Sequence, residues 1–391
     1  MALARGTVRP PTPVDRLRRG FGAVPWREID HVLVGAMALL GVIGVFTVYS
    51  ATRTRLEDLG VDPSYYAQRQ LAYLVVFVVV FVVVLAIGHD LVRERAILWY
   101  ASTIVLLAFV LVSGAVTRGA RLAFDLGQFS VQPAEFTKHS VLVVVAAYAA
   151  DSFTARMDYH RFTVALWLLA LPVGLIVLQP DLGSATALVA GVAGVLLVAG
   201  ARRRYFLAVI GVSVLTVALT VVGRVVSSYQ IGRFRAWLNQ DSTDPALRKI
   251  VLQVRYAKRA VASGGLFGKG YLEGPITNGK FVPVQASDFP FSAIAEQFGM
   301  VGGLVVIGLF AVVLWRLWVI ASAARQPFDR LFVSGVFAMI LWQVFYNLGM
   351  TMGMVPVSGV PLPFVSYGGS HLTATALLTA MSVSVHMRRK G

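Results

Sequence analysis

Val282-Pro283-Val284-Gln285-Ala286-Ser287-Asp288-Phe289-Pro290-Phe291 closes a long polar stretch, about 223–290, in a chain otherwise apolar enough to dissolve in lipid. The stretch carries Arg233, Arg235, Arg248, Lys249, Arg255, Lys258, Arg259, Lys269 and Lys280, then delivers one carboxylate, Asp288, to the next apolar run. A cationic platform with a single acid at a membrane edge suits an anionic, lipid-linked substrate.

Outward from that stretch, composition sets the class. Of 391 residues, 57% are hydrophobic and only 14% charged, where soluble domains run nearer half and a quarter. Apolar blocks of span length recur at about 32–49, 71–88, 96–114, 133–150, 162–178, 184–199, 205–223, 291–315, 330–352 and 369–386. Blocks of roughly 20 apolar residues are membrane spans. The expected fold is an all-α polytopic membrane protein of about ten transmembrane helices. Residues 1–30 form a basic tail, and 31–391 form one transmembrane domain whose long loop, about 223–290, joins helices 7 and 8. The first apolar block is longer than a signal-peptide core and lacks a small-x-small cleavage site, so it reads as a retained helix.

With the N-terminus inside, the inner segments hold nineteen Arg and Lys against five in the short outer loops. Basic residues in short loops set orientation. Both termini are therefore expected in the cytoplasm and the long loop outside, in the cytoplasmic (inner) cell membrane. The net charge of +16 reads as topology and contact with anionic membrane lipid, not nucleic acid. The absence of cysteine excludes disulfides, zinc-thiolate sites and Cys nucleophiles. No Walker loop, dinucleotide fingerprint or HExxH is present, and the scattered His31, His89, His139 and His160 lack metal-ligand spacing. Gly264-Gly265-Leu266-Phe267-Gly268-Lys269-Gly270 lacks P-loop spacing and reads as a flexible turn.

Ionisable groups inside spans are costly unless paired or wet. Glu135 and Lys138 are three apart, on one face of one turn, behind Pro133 at a first-turn position. Gln179-Pro180-Asp181-Leu182-Gly183 repeats the Gln-Pro-x-acid theme. Asp181 either answers Lys138, leaving Glu135 free, or joins both in one network, which holds the helices together or binds substrate. Glu296, about two turns beyond Asp288, reads as packing more than as a cavity-facing partner. The run from Gly353 to Ser370 has too many prolines and glycines for a regular helix. Irregular backbone at membrane depth must be buried in protein or line a wet cavity, so this run reads as the re-entrant wall of a groove.

These residues resemble the SEDS family (shape, elongation, division and sporulation), of RodA and FtsW type. Tyr49-Ser50-Ala51, Gln132-Pro133-Ala134-Glu135 with Lys138, Gln179 to Gly183, Ser263 to Gly270, Asp288-Phe289 and Pro356-Val357-Ser358-Gly359-Val360-Pro361-Leu362-Pro363 through Ser370 carry the match. The family's Pro-Glu-x-His-Thr-Asp is altered here, with Val284 and Ala286 at the Glu and His places, and Tyr256-Ala257 replaces a Gln-Ser pair. The resemblance implies peptidoglycan glycosyltransfer on lipid II at the outer membrane face. It also implies a class B penicillin-binding protein, a single-span transpeptidase, as partner, and Asp288 as the catalytic acid. Short tails favour the RodA type, in cell elongation and shape, over division.

The resemblance implies an α-linked donor and a β-linked product; such inversion needs a base on the acceptor hydroxyl, and Asp288 is the candidate. The pyrophosphate leaving group needs neutralising charge. Lys269, Arg233, Arg235, Lys138 and Arg121 are candidates, or a divalent cation, Mg or Mn. Glu135, Asp181 and Ser366 complete the candidate substrate-binding set, with no protein metal site assigned. Ten spans with midplane ions also describe a lipid II flippase, and a non-catalytic scaffold for a transpeptidase is the third reading.

Overall fold

The computed structural model describes residues 25–117, 120–125, 127, 130–151, 157–209 and 228–389. Among these, nine helices of 17 residues or more form the body: α1 (His31–Asp58), α2 (Tyr65–Ile87), α4 (Ala96–Ser113), α5 (Pro133–Ala150), α6 (Tyr159–Leu178), α7 (Leu182–Val198), α12 (Pro290–Ala323), α13 (Pro327–Thr351) and α14 (Gly369–Arg388). The short α3 (His89–Glu94) links α2 to α4. Six of the nine, α1, α2, α4, α6, α12 and α13, are long and apolar enough to cross a membrane. The seventh apolar block, 205–223, falls mostly outside the described residues. Helices α1 and α12 run well past their apolar blocks, so Arg53, Arg55 and Arg316 lie on helices and not in loops.

Two span-length helices are too polar for lipid, and both are walled in by protein. Helix α5 packs against α4, α6, α7, α13 and α14, and α14 packs against α2, α5, α12 and α13. Without water, each polar group needs a protein partner. Along α14, Thr375, Thr379 and Ser382 satisfy their hydroxyls on carbonyls one turn back. Polarity therefore sorts these helices to the centre and the Val- and Leu-rich ones to the rim.

The polar stretch expected as a loop is largely helical. It contains α8 (Ser228–Leu238), α9 (Arg248–Ser263), α10 (Pro275–Asn278) and α11 (Gln285–Asp288). Apolar residues of α9, Val254 and Ala257, pack under Val282 and Phe289 against Tyr346, Met350, Val357 and Val360. The expected all-α fold has one exception, a small antiparallel ribbon of β1 (Ala115–Thr117), β2 (Ala120–Asp125) and β3 (Ser130–Val131) between α4 and α5.

The glycine-rich segment after α9 is a splint for a broken helix, where the sequence reads as a flexible turn. Helix α12 kinks at Gly299, which has φ 64 and ψ −159. The amides beyond the kink, Met300 and Val301, donate to the carbonyls of Gly265 and Leu266 at 2.9 and 3.1 Å. In return Lys269 and Gly270 donate to the carbonyls of Glu296 and Gln297 at 3.0 and 3.1 Å. Those two amides are thereby committed to α12 and not to a phosphate. The contact demands glycine. Gly268 has φ +86, and a Cβ there would lie 2.0 Å from the Gln297 carbonyl, whereas Gly265 at φ +58 has open space. Left-handed backbone costs an L-residue about 1–2 kcal/mol. Gly268→Ala should lower the melting temperature in detergent clearly more than Gly265→Ala, since only the first adds a backbone clash. Equal shifts would contradict the splint.

Candidate active site

Asp288 ends the single turn of α11, immediately before α12. Its own backbone and its neighbours' are clamped. Asn347, fully buried on α13, donates to the carbonyls of Asp288 and Val360 at 3.0 and 2.8 Å. Ser366 donates to the Ser287 carbonyl at 2.6 Å and accepts the Leu362 amide at 2.8 Å. The Tyr367 amide donates to the Ala286 carbonyl at 3.0 Å. Ser287 Oγ donates to Asp288 Oδ1 at 2.7 Å, while Oδ2 faces Gly359, where a Cβ would stand 3.9 Å away. The carboxylate is half-buried, not a freely exposed rim group. It does not cap α12 either, because the N-cap is Phe289 and no side-chain cap bond forms.

The turn that presents it is strained. Val284, the N-cap of α11, sits at φ 55 and ψ 29, a region where a β-branched residue is an outlier. Such strain persists only where the surroundings over-determine it. Here the Val284 carbonyl takes the amides of Ser287 and Asp288 at 3.2 and 3.0 Å. Relief at that position is testable. Asn tolerates the left-handed region, so Val284→Asn should raise thermal stability; no gain would contradict the strain.

The irregular backbone expected over Gly353–Ser370 is present and packed as a buried wall. Residues 353–368 contain no helix or strand, and Val357, Ser358, Val360 and Leu362 to Ser366 are buried. The Ser358–Gly359 turn lies between Asp288 and the start of α7, where a Cβ on Gly183 would stand 3.0 Å from the Ser358 carbonyl. Ser366 is therefore structural support behind Asp288, with its hydroxyl used twice inside the fold.

On the other side of that turn lies a buried ion network. Lys138 Nζ meets Glu135 Oε2 at 2.8 Å, with both side chains almost fully enclosed. His371 Nδ1 reaches the same oxygen at 3.0 Å, and Ser184 Oγ donates to Glu135 Oε1 at 3.3 Å. Asp181 does not take Lys138 from Glu135. It caps α7 by accepting the Ser184 amide at 3.0 Å and also accepts Gln132 Nε2 at 2.9 Å. Ser184 thus joins the two acids. The sequence reading missed His371; its signal was a titratable residue in the first turn of the last span.

The remaining candidates scatter. Glu296 is fully buried and accepts from the amides of Ile276 and Thr277 and the Thr277 hydroxyl at 2.7, 2.9 and 2.6 Å. It is a packing group pinning α10. Arg233 borders a small cavity on α8 whose far side is Val355 and Val357, the outer edge of the wall. Arg235 and Lys269 are exposed, and Lys269 projects from the splint further along α12. Arg121 lies on β2, and its side chain is outside the described residues. Among the described residues no three His, Cys, Asp or Glu side chains converge as a metal cage.

Comparisons place this geometry among known proteins. The family profile described as "Cell cycle protein", FtsW/RodA/SpoVE, matches residues 30–391. Stage V sporulation protein E of Bacillus subtilis is 33% identical over 368 residues, covering 92% of this chain and 97% of the relative. Peptidoglycan glycosyltransferase MrdB of Escherichia coli is 31% identical over 367 residues, covering 93% and 95%. The crystal structure of the Thermus thermophilus rod shape determining protein RodA superposes with a TM-score of 0.68 at 29% identity, covering 94% of this chain and 99% of that one. A chain from a peptidoglycan synthase complex that coordinates polymerization and crosslinking gives 0.76 at 29% identity, covering 92% and 98%. With the profile spanning all but the first 29 residues, the chain belongs to the FtsW/RodA/SpoVE family of multi-spanning membrane proteins.

Proposed function

We propose that this chain is a peptidoglycan glycosyltransferase that polymerises a lipid-linked disaccharide-peptide, lipid II, into glycan strands at the outer face of the cytoplasmic membrane. One observation carries the reading: a single carboxylate, Asp288, is clamped at its backbone and at one oxygen, beside an irregular buried wall. Relatives named as peptidoglycan glycosyltransferases support the activity.

Asp288 is the general base. It takes the proton of the acceptor hydroxyl as that oxygen bonds to the donor anomeric carbon, and the bond to undecaprenyl pyrophosphate breaks on the opposite face. Pre-positioning matters because a misplaced base loses most of its advantage. Arg233, at the wall's edge, is the best-placed of the candidate cations for the departing pyrophosphate. A Mg or Mn ion would need a protein carboxylate in addition to the substrate's phosphates, for which Asp288 is the candidate near this wall, and it would supply charge neutralisation for the departing pyrophosphate. The buried Lys138–Glu135–His371 cluster, joined by Ser184 of α7, ties α5, α7 and α14 together behind the wall. A single-span transpeptidase of the class B penicillin-binding type is the partner, a reading supported by the synthase-complex likeness.

Orientation is tested with single cysteines, which are clean because the chain has none. Thr243 lies in the long polar stretch and Arg203 between α7 and the undescribed block, both exposed. Thr243→Cys should react with an impermeant thiol reagent in intact cells, and Arg203→Cys should not. The opposite labelling would put Asp288 in the cytoplasm and end the proposal.

A further inference from the structure

A row of tyrosines leads away from Asp288 along the first turns of α2. Tyr367, whose amide is held by Ala286 two residues before Asp288, meets Tyr66 edge-on, with ring centroids 5.3 Å apart. Tyr66 meets Tyr65 edge-on at 5.2 Å. Tyr73 backs Tyr367 at 5.9 Å. Arg69 donates to the Tyr65 hydroxyl at 3.0 Å and holds its guanidinium 5.6 Å from that ring's centre. Tyr65 is 41% exposed, and Tyr66, Arg69 and Tyr367 are half-buried.

Tyrosines at a membrane edge commonly act singly, with the ring in lipid and the hydroxyl in water. These rings instead fix one another in successive edge-to-face contacts, and a guanidinium is bound into the row. Rigid aromatic faces take up the apolar face of a pyranose at little entropic cost, and phenol hydroxyls meet its polar edge. The planar guanidinium matches a carboxylate. The row is also continuous, through Tyr367 and Ala286, with the turn that carries Asp288.

We propose that Tyr65, Tyr66, Tyr367 and Arg69 form a second saccharide subsite, which grips the glycan strand next to the sugar reacting at Asp288, with Arg69 pairing a carboxylate of its peptide substituents. The inference rests on the glycosyltransferase reading and extends it to strand retention.

The test uses the purified full chain and a soluble, lipid-free glycan tetrasaccharide, with or without peptide stems. Binding is read by saturation-transfer NMR and titration, and product length is read on a gel. The Tyr65→Ala/Tyr66→Ala protein should bind the tetrasaccharide at least about tenfold more weakly and release shorter strands. Tyr66→Trp, which keeps an aromatic face, should retain binding, so loss in the alanine protein is not misfolding. Arg69→Gln should weaken the stem-bearing tetrasaccharide and spare the stem-free one. Tyr159→Ala, an exposed tyrosine at the far end of α6, should change neither reading.

Native protein that fails to bind either tetrasaccharide would overturn the subsite. So would an alanine protein with native binding and strand length. Unchanged glycan binding together with lost fluorescence quenching by brominated lipid would make the row a membrane anchor instead. Native protein that binds through these residues but makes no polymer from lipid II, even with its transpeptidase partner present, would sink the proposed function and leave the subsite standing.

Discussion

Asp288→Asn protein is expected to yield no detectable glycan while folding normally and keeping its transpeptidase partner. Asparagine can still accept the Ser287 hydroxyl bond, and the Asn347 and Ser366 clamps act on main-chain carbonyls, so the turn should survive. What disappears is a group able to hold a proton at neutral pH. General bases contribute about 10²- to 10⁴-fold, roughly 3–5 kcal/mol of barrier. Repeated at every coupling step, a loss of that size removes polymer from a gel. A purely structural role predicts something different, namely a stability loss near 1 kcal/mol and normal product, as for a missing helix cap. Full-length strands from a well-folded Asp288→Asn protein would remove Asp288 from the chemistry.

Lys138→Met is expected to be the most destabilising single change in the helix bundle. It deletes the partner of Glu135 inside a pair only 2% and 4% exposed. Breaking a buried pair costs roughly 3–5 kcal/mol because a charge is left uncompensated. His371 and Ser184 still contact Glu135 and ease the loss, so the lower end applies. The signature is recovery: Lys138→Met/Glu135→Gln should regain much of the lost thermal stability, with a coupling energy of about 1–3 kcal/mol. Coupling between Lys138 and Asp181 should be smaller, since Ser184 stands between the two acids. Additive Lys138 and Glu135 effects would show that the pair does not hold the bundle.

The sequence disclosed the spans because lipid demands length and apolarity at once, and α1, α2, α4, α6, α12 and α13 meet both demands. It pointed to Glu135, Lys138 and Asp181 because a charge at membrane depth has few alternatives to a partner or a function, and to Asp288 because that acid closes the basic stretch at the start of an apolar run. It disclosed the wall because Pro356, Pro361 and Pro363 forbid a helix. Other features were hidden by their long-range character. His371 belongs to Glu135 across 236 residues, and a helical pattern of one segment carries no such pairing. The glycine segment looked flexible because its meaning lies in Gly299, a kink that sequence periodicity smooths over. The helices of the long polar stretch were missed because α9 buries only a narrow stripe, Val251, Val254, Ala257 and Ala260, within a strongly basic surface. Which acid answers Lys138 turned on Ser184, a residue with no charge to draw notice.

The most direct test of the enzyme reading places native protein in vesicles with fluorescent lipid II confined to one leaflet. With the substrate in the leaflet that faces the 228–288 segment, polymer should accumulate in that leaflet and the Asp288→Asn protein should make none. Lipid II that instead crosses to the other leaflet, with no glycan formed in the presence of the transpeptidase partner, would contradict the account and make the chain a transporter.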